Sequence, residues 1–271
     1  MHIVEKLEAS EQYRGRAGVA IGNFEGLHRG HLAIIRTLVA ECGRRGLASA
    51  VMTFRRHPLG VVGPSEPERL VAPLDKIVKL AAEGVDLLLY LDFTPSFAAL
   101  EPCDFLRLMN RHLAPRLYCL GRTFRFGRAN RGDLALLRGC REEMGYHLLS
   151  VEEVPCDGGP ISSTRIREEV RAGRFEKVRE LLGTCYYTYL RPAEGGRVRL
   201  FIENWALPGP GLYRGDLEDL VSGARRKAAL RIEGEEGDER VLFLETEGGE
   251  QEGAPSSLYR FYFVRPCREE K

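Results

Sequence analysis

The chain has 271 residues, 44% of them hydrophobic and 29% charged, with a formal net charge of +1. That near-neutral balance removes a polyanion such as DNA as the default partner, and no apolar run approaches the roughly 20 residues that cross a bilayer. The length suits two domains, each able to bury a real core.

The opening "MHIVEKLEAS" shows neither secretory nor transit character. Seven cysteines, at 42, 103, 119, 140, 156, 185 and 267, are scattered without Cys-x-x-Cys or zinc spacing. Most read as small apolar fillers, Cys42 among them, and a reducing cytoplasm is the expected compartment.

In chain order, "AGVAIGNF" predicts a short buried strand ending in glycine. Residues 31 to 42 then place Leu32, Ile35, Val39 and Cys42 on one helical face. "LASAVMTF" predicts a second strand, "LDKIVKLAAEG" a helix stopped by Gly84, and "DLLLYLDF" a third strand. "EPCDFLRLMNRHL" predicts a helix, "RLYCLG" a strand, "DLALLRGCREEMG" a helix and "YHLLSVEEV" a strand. Apolar strands alternating with helices predict the α/β class, with a parallel sheet covered on both faces. After Gly183 the alternation stops, and "RVRLFI", "KAALRIE", "RVLFLE" and "LYRFYFVRP" predict a small antiparallel β domain. The acidic run 233–239, "EGEEGDE", reads as a solvated hairpin loop.

The chemistry concentrates in "IGNFEGLHRGHLAII", residues 21–35. Gly22 stands where the first strand ends, and in an open parallel sheet ligands bind at the carboxyl ends of strands. Gly26 and Gly30 permit tight turns and close approach of backbone to a ligand. A helix starting near Gly30 offers its first N–H groups, and about half a positive charge, to an anion. His28 and His31, one turn apart, project beside that place and can donate hydrogen bonds to phosphate oxygens. On spacing alone, two surface histidines flanking a glycine turn is an equal alternative; a metal site is the weaker one, for want of further ligands. A second constellation is "ISSTRIREEV". Ser162, Ser163 and Thr164 are candidates for a helix N-cap facing an anion, and Arg165 and Arg167 carry forked donors that suit phosphate. Alone, this segment is better read as a capped basic helix.

"GNFEGLHRGH" resembles the His-x-Gly-His motif of nucleotidylyltransferases. More narrowly, it is similar to the Gly-x-Phe-Asp-Gly-x-His-x-Gly-His form of bacterial FAD synthetases, two-domain proteins that join an FMN adenylyltransferase to a riboflavin kinase. "VMTFRRHP", "CLGRTFRFGRANRGD" and "ISSTRIREEVRAGRFEKVRELLG" resemble further segments of that family in the same order, so the likeness covers residues 18 to 183. It implies a Rossmann-like nucleotidylyltransferase domain at 1–184 and a riboflavin-kinase-like β-barrel at 185–271. It also implies small-molecule substrates, ATP with magnesium and FMN with FAD as product. Neither nucleic acid nor membrane is implied as a partner, and the oligomeric state stays open. ATP would lie across the carboxyl edge of the sheet, reached by both segments. By this resemblance His28, His31, Ser163, Thr164 and Arg167 are the catalytic residues around the phosphates, with no protein metal ligand. Gly22, Asn23, Phe24, Gly30, Ser162 and Arg165 would hold ATP. Phe54, Pro58, Thr123, Phe124, Arg125 and Phe126 would neighbour the flavin ring.

The chain also departs from that family. Glu25 replaces an aspartate in the turn, and Thr123 replaces an aspartate or asparagine on the flavin side. "GRVRLFIEN" keeps Gly196, Arg197, Phe201 and Asn204 of the kinase motif but has Ile202 and Glu203 in place of its Pro-Thr pair. "VLFLETEG" offers no Glu-x-His base segment, although "LPGPGLYRG" echoes the family's barrel. A degenerate barrel without kinase activity is therefore expected. Thr123 also leaves room for transfer to another phosphorylated acceptor, and the barrel's decay for a non-catalytic paralogue that binds flavin or nucleotide.

Overall fold

The structure, a computed structural model, describes residues 1–157, 159–193, 197–236, 239–246 and 257–266. Its contacts divide the chain into two compact units, residues 1–67 with 71–160, and residues 68–70 with 161–271.

The first unit holds six strands: β1 (His2–Val4), β2 (Ala17–Ile21), β3 (Ala48–Phe54), β4 (Leu87–Leu91), β5 (Leu117–Gly121) and β6 (His147–Val151). They form one sheet in the order 1-4-3-2-5-6, parallel at every pairing. Every residue of β2 and β4 is buried, as strands apolar on both faces require. The helices between them are α1 (Arg29–Arg45), α2 (Leu59–Val62), α3 (Pro73–Ala82), α4 (Pro95–Ala98), α5 (Pro102–His112) and α6 (Leu134–Met144). A two-residue ribbon, β7 (Pro155–Cys156) with β8 (Gly159–Pro160), follows the sheet.

Alternate strand residues divide the core between two faces. Ala20, Val51, Leu88 and Cys119 pack with Ile35, Leu38 and Cys42 of α1 and Leu80 of α3. Val19, Met52, Leu87, Leu89, Tyr118 and Leu120 pack with Phe105 and Met109 of α5 and Leu137 of α6. The expected two-faced α/β sheet is present. Within α1 it is Leu38, rather than Val39, that is fully buried beside Leu32, Ile35 and Cys42. β1 and the 3-10 turn Leu7–Tyr13 have no counterpart in the predicted elements; a three-residue edge strand is too short to write a periodic pattern.

The topology marks one place in this sheet. From β2 the chain builds outward through β3 to β4, and later returns to β2's other side with β5. The strand order reverses between β2 and β5, a switch point past whose carboxyl ends open α/β sheets bind ligands.

In the second unit α7 (Ser163–Arg171) and α8 (Phe175–Leu182) precede a closed barrel of β9 (Tyr187–Pro192), β10 (Arg197–Leu200), β11 (Gly211–Asp219), β12 (Arg225–Glu236), β13 (Glu239–Thr246) and β14 (Tyr259–Pro266). The strands run antiparallel in the order 10-13-12-11-14-9, and closure leaves no open edge. Leu190, Leu217, Leu230, Leu242 and Phe261 are buried. Phe175 of α8 stacks on Phe263, 4.6 Å between centroids. The register shifts between Arg214 and Gly215, where a Cβ on Gly215 would lie 2.1 Å from the Tyr262 carbonyl oxygen. Only glycine permits that approach.

β9 and β11 were not among the predicted strands. The acidic run is a hairpin, but not a loop along its length: β12 continues through Glu236 and β13 resumes at Glu239, with Gly237 and Asp238 outside the described residues. Ladder pairing carries the strand through residues whose side chains favour solvent. Gly196 and Cys267 also lie outside the described residues. None of the described cysteines forms a disulfide, and among the described residues no helix is long and apolar enough to cross a membrane.

Candidate active site

Past the end of β2 the chain makes a tight turn before α1. Phe24, Gly26 and Leu27 all adopt positive φ, at 46°, 75° and 44°. Gly26 meets this without strain; the other two do not. Leu27 and Phe24 are both buried, so their side chains clamp the turn from the core side. Phe24 therefore lies beneath the turn, its ring edge-on to His31 with centroids 5.3 Å apart.

His28 caps α1: its Nδ1 accepts the His31 backbone N–H at 3.3 Å. In the neutral ring that acceptor role puts the proton on Nε2, which is left as a donor. The two imidazoles stack, 3.5 Å between centroids and 20° from parallel. His28 is 5% exposed, and burial pushes its imidazole down to about 4. Burial first, then the nearby His28 ring and the Lys76 ammonium, hold His31 well below its ordinary value. Both rings are neutral near pH 7. Among the described residues His31 Nδ1 is buried and has no hydrogen-bond partner, a state that a buried polar atom rarely keeps. Gly30 sits in the first turn of α1, where helix N–H groups and the helix dipole favour an anion.

The turn is anchored by residues that sequence reading passed over. The Asn23 carbonyl accepts from Thr53 Oγ1 at 2.9 Å and from Lys76 Nζ at 3.1 Å. Lys76 Nζ stands 3.8 Å from Glu25 Oε2. The Asn23 side chain meets His57 Nε2 at 3.3 Å, while His57 Nδ1 accepts the Leu59 N–H. Lys76 had a sequence signal: it lies four residues before Leu80, on the buried stripe of α3.

The residues expected on the flavin side form an aromatic chain. Phe54 at the end of β3 packs edge-on against Phe93 and Phe97, at 5.0 and 5.7 Å. Phe97 continues to Phe105, Phe105 to Phe126, and Phe126 stacks on Phe124 at 5.6 Å. Phe126 is buried in the core, Phe124 is half-buried and Thr123 is exposed. Arg125 is exposed and forms an ion pair with Asp133 at 3.0 Å, and Pro58 precedes the first turn of α2. Phe93 and Phe97 were missing from the sequence-derived set because lone phenylalanines carry no spacing signal.

In the second unit Ser162 is the N-cap of α7, its hydroxyl accepting the Arg165 N–H at 3.2 Å. Ser163 and Thr164 occupy the first turn. Arg167 is 7% exposed, and its Nε donates to the Glu68 carbonyl at 2.6 Å. Arg171 holds the Glu68 carboxylate at 2.7 Å. After β10, Phe201 and Glu203 are exposed, Ile202 is half-buried, and the Asn204 carbonyl accepts the Arg69 N–H.

The chain spans 53% of the length of a bifunctional riboflavin kinase/FMN adenylyltransferase from Escherichia coli K12, to which it is 36% identical over 168 residues, or 61% of this chain. A protein named FAD synthetase from Listeria monocytogenes is 31% identical over 204 residues, covering 74% of this chain and 81% of that one. A crystal structure titled as a macrolide-efflux protein from Streptococcus pneumoniae aligns with 100% of this chain and 92% of its own, at a TM-score of 0.85 and 21% identity, a likeness of fold. The family model described as FAD synthetase matches residues 10–165, more than half of the sequence, and the chain belongs to that family.

Proposed function

We propose that the chain transfers the adenylyl group of ATP to FMN, giving FAD and pyrophosphate, and that it lacks riboflavin kinase activity. The observation that carries the reading is the stacked, neutral His28–His31 pair at the start of α1, beside the β2/β5 switch point. We assign residues 1–184 to this transfer, 185–271 to a degenerate kinase-like barrel, and the protein to the cytoplasm.

A phosphate oxygen of FMN attacks the α-phosphorus of ATP in line. One P–O bond forms as the bond to pyrophosphate breaks, and no covalent enzyme intermediate is needed. His28 Nε2–H and the first turn of α1 stabilise charge that builds on the departing pyrophosphate. The turn offers N–H donors and a Glu25 carboxylate already beside Lys76, so it suits an anion rather than a resident cation. Magnesium arrives with the triphosphate, as part of the substrate. The Ser162–Arg167 segment is assigned a phosphate-binding role of its own, on its cap geometry and its arginines.

The absence of kinase activity is supported by Ile202 and Glu203. An isoleucine cannot ligate a metal, and a carboxylate repels the phosphates of ATP unless a cation intervenes.

Incubation with FMN, ATP and magnesium, followed for FAD and pyrophosphate, tests the transfer. No FAD at high protein concentration, with an active control alongside, refutes it. Riboflavin in place of FMN is expected to give no product, and measurable FMN would contradict the kinase half of the proposal. The exposed Thr123 favours a second reading, transfer to another phosphorylated acceptor, which a panel scored by pyrophosphate release separates. Tight flavin binding without turnover would mark a non-catalytic paralogue.

A further inference from the structure

The turn carrying His28 and His31 is bent in a way that two of its residues resist. A non-glycine residue in the left-handed region is strained, and such conformations persist where the surroundings over-determine them. Here the Asn23 carbonyl, one residue before the first strained position, is held twice, by Lys76 Nζ and by Thr53 Oγ1. The side chains of Lys76 and Glu25 are only 7% and 10% exposed.

A buried lysine is a costly way to fill a helix–sheet interface. Desolvating each ion costs several kcal/mol, and a well-packed apolar residue of similar volume is often as stable or more so. Packing therefore does not account for Lys76. Its contacts do: they fix the peptide that leads into the turn and bring a positive charge beside the imidazoles.

We propose that Lys76 is a positioning residue of the nucleotide site: its ammonium, buried with the Glu25 carboxylate, pins the Asn23 carbonyl and so holds His28 and His31 in the geometry that meets phosphate. This rests on the adenylyl-transfer reading above. Lys76 acts through the turn and need not touch the substrate.

Three full-length proteins test it: the wild type, Lys76→Met, and the double variant Glu25→Gln/Lys76→Met. Lys76→Met removes the ammonium beside the buried Glu25 carboxylate and is expected to unfold more readily; the double variant removes both charges and regains most of the lost stability. If Lys76 positions the turn, kcat for pyrophosphate release with saturating ATP and FMN falls on the order of 10²-fold in both variants, because a misplacement of about 1 Å has that effect. The FMN KM moves little, since the turn does not hold the flavin. A double variant with restored stability and wild-type kcat shows a purely structural pair and overturns the proposal.

A wild type that makes no FAD is a different result: it refutes the transferase reading. Calorimetric titration of magnesium-ATP into the same proteins then decides the matter. Weaker binding by the stable double variant upholds the role of Lys76, and unchanged binding ends it.

Discussion

His28 and His31 lie face to face, 3.5 Å between ring centroids, with Nδ1 of the first accepting the backbone N–H of the second. The contact does two things at once. It ends the strained turn in a capped helix, and it places two buried imidazoles where adding a proton to either is unfavourable. The pair is therefore a fixed, neutral arrangement at a helix N-terminus, and the proposed transfer role rests on its His28 Nε2 donor.

That burial predicts an acid-sensitive fold. In the unfolded chain His28 protonates near 6.5, whereas in the folded protein it stays neutral down to about 4. Between those values the unfolded state binds the extra proton, so stability is full above about pH 6.5 and is lost as pH falls toward 4, by about 3 kcal/mol for this residue. His31 acts in the same direction. Urea unfolding at steps from neutral pH to pH 4 measures the loss, and His28→Asn, which keeps a capping oxygen, is expected to flatten the curve.

Loss of the His28 donor is expected to lower FAD formation on the order of 10²-fold, the size seen when one donor to developing negative charge is removed. His28→Ala also loses the cap and about 1 kcal/mol of stability, whereas His28→Asn keeps the cap. Steady-state rates and thermal unfolding of the two variants separate chemistry from capping. Equal rates in His28→Asn and the wild type would show that the imidazole serves only as a cap.

Ser162→Ala is expected to destabilise the protein by about 1 kcal/mol, since the Arg165 N–H loses its acceptor. Ser162→Asp, which supplies another capping oxygen, is expected to restore the loss. Thermal unfolding of both variants beside the wild type checks this.

Gly215→Ala is expected to cost at least about 2 kcal/mol, because a methyl group there meets the Tyr262 carbonyl and the Phe261 ring inside a closed barrel that cannot open at an edge. Chemical unfolding together with limited proteolysis of residues 185–271 measures it. Wild-type resistance would mean that the barrel yields at the bulge.

Much of this protein was visible in the order of its residues, and the visible part is the local part. β2 and β4 are buried on both faces, so each is an unbroken apolar run; the helices repeat at the spacing of one buried stripe. The glycine–histidine turn and the Ser162 cap are legible for the same reason, because cap, donor and strained residue all lie within a few positions of one another. β1 escaped notice, being an edge strand of only three residues, and β12 ran further into the acidic run than its side chains suggest, because its ladder partner lies in β13.

The tertiary structure alone revealed the support beneath the turn. Lys76 reaches the Asn23 carbonyl across 53 positions of sequence, and Thr53 reaches it across 30. In the sequence Lys76 shows only as a charged residue four positions before Leu80, on a helical stripe. Burial turns it into the anchor of the turn, because a desolvated ammonium must find a carbonyl and a carboxylate, and only the packed chain brings Asn23 and Glu25 within its reach.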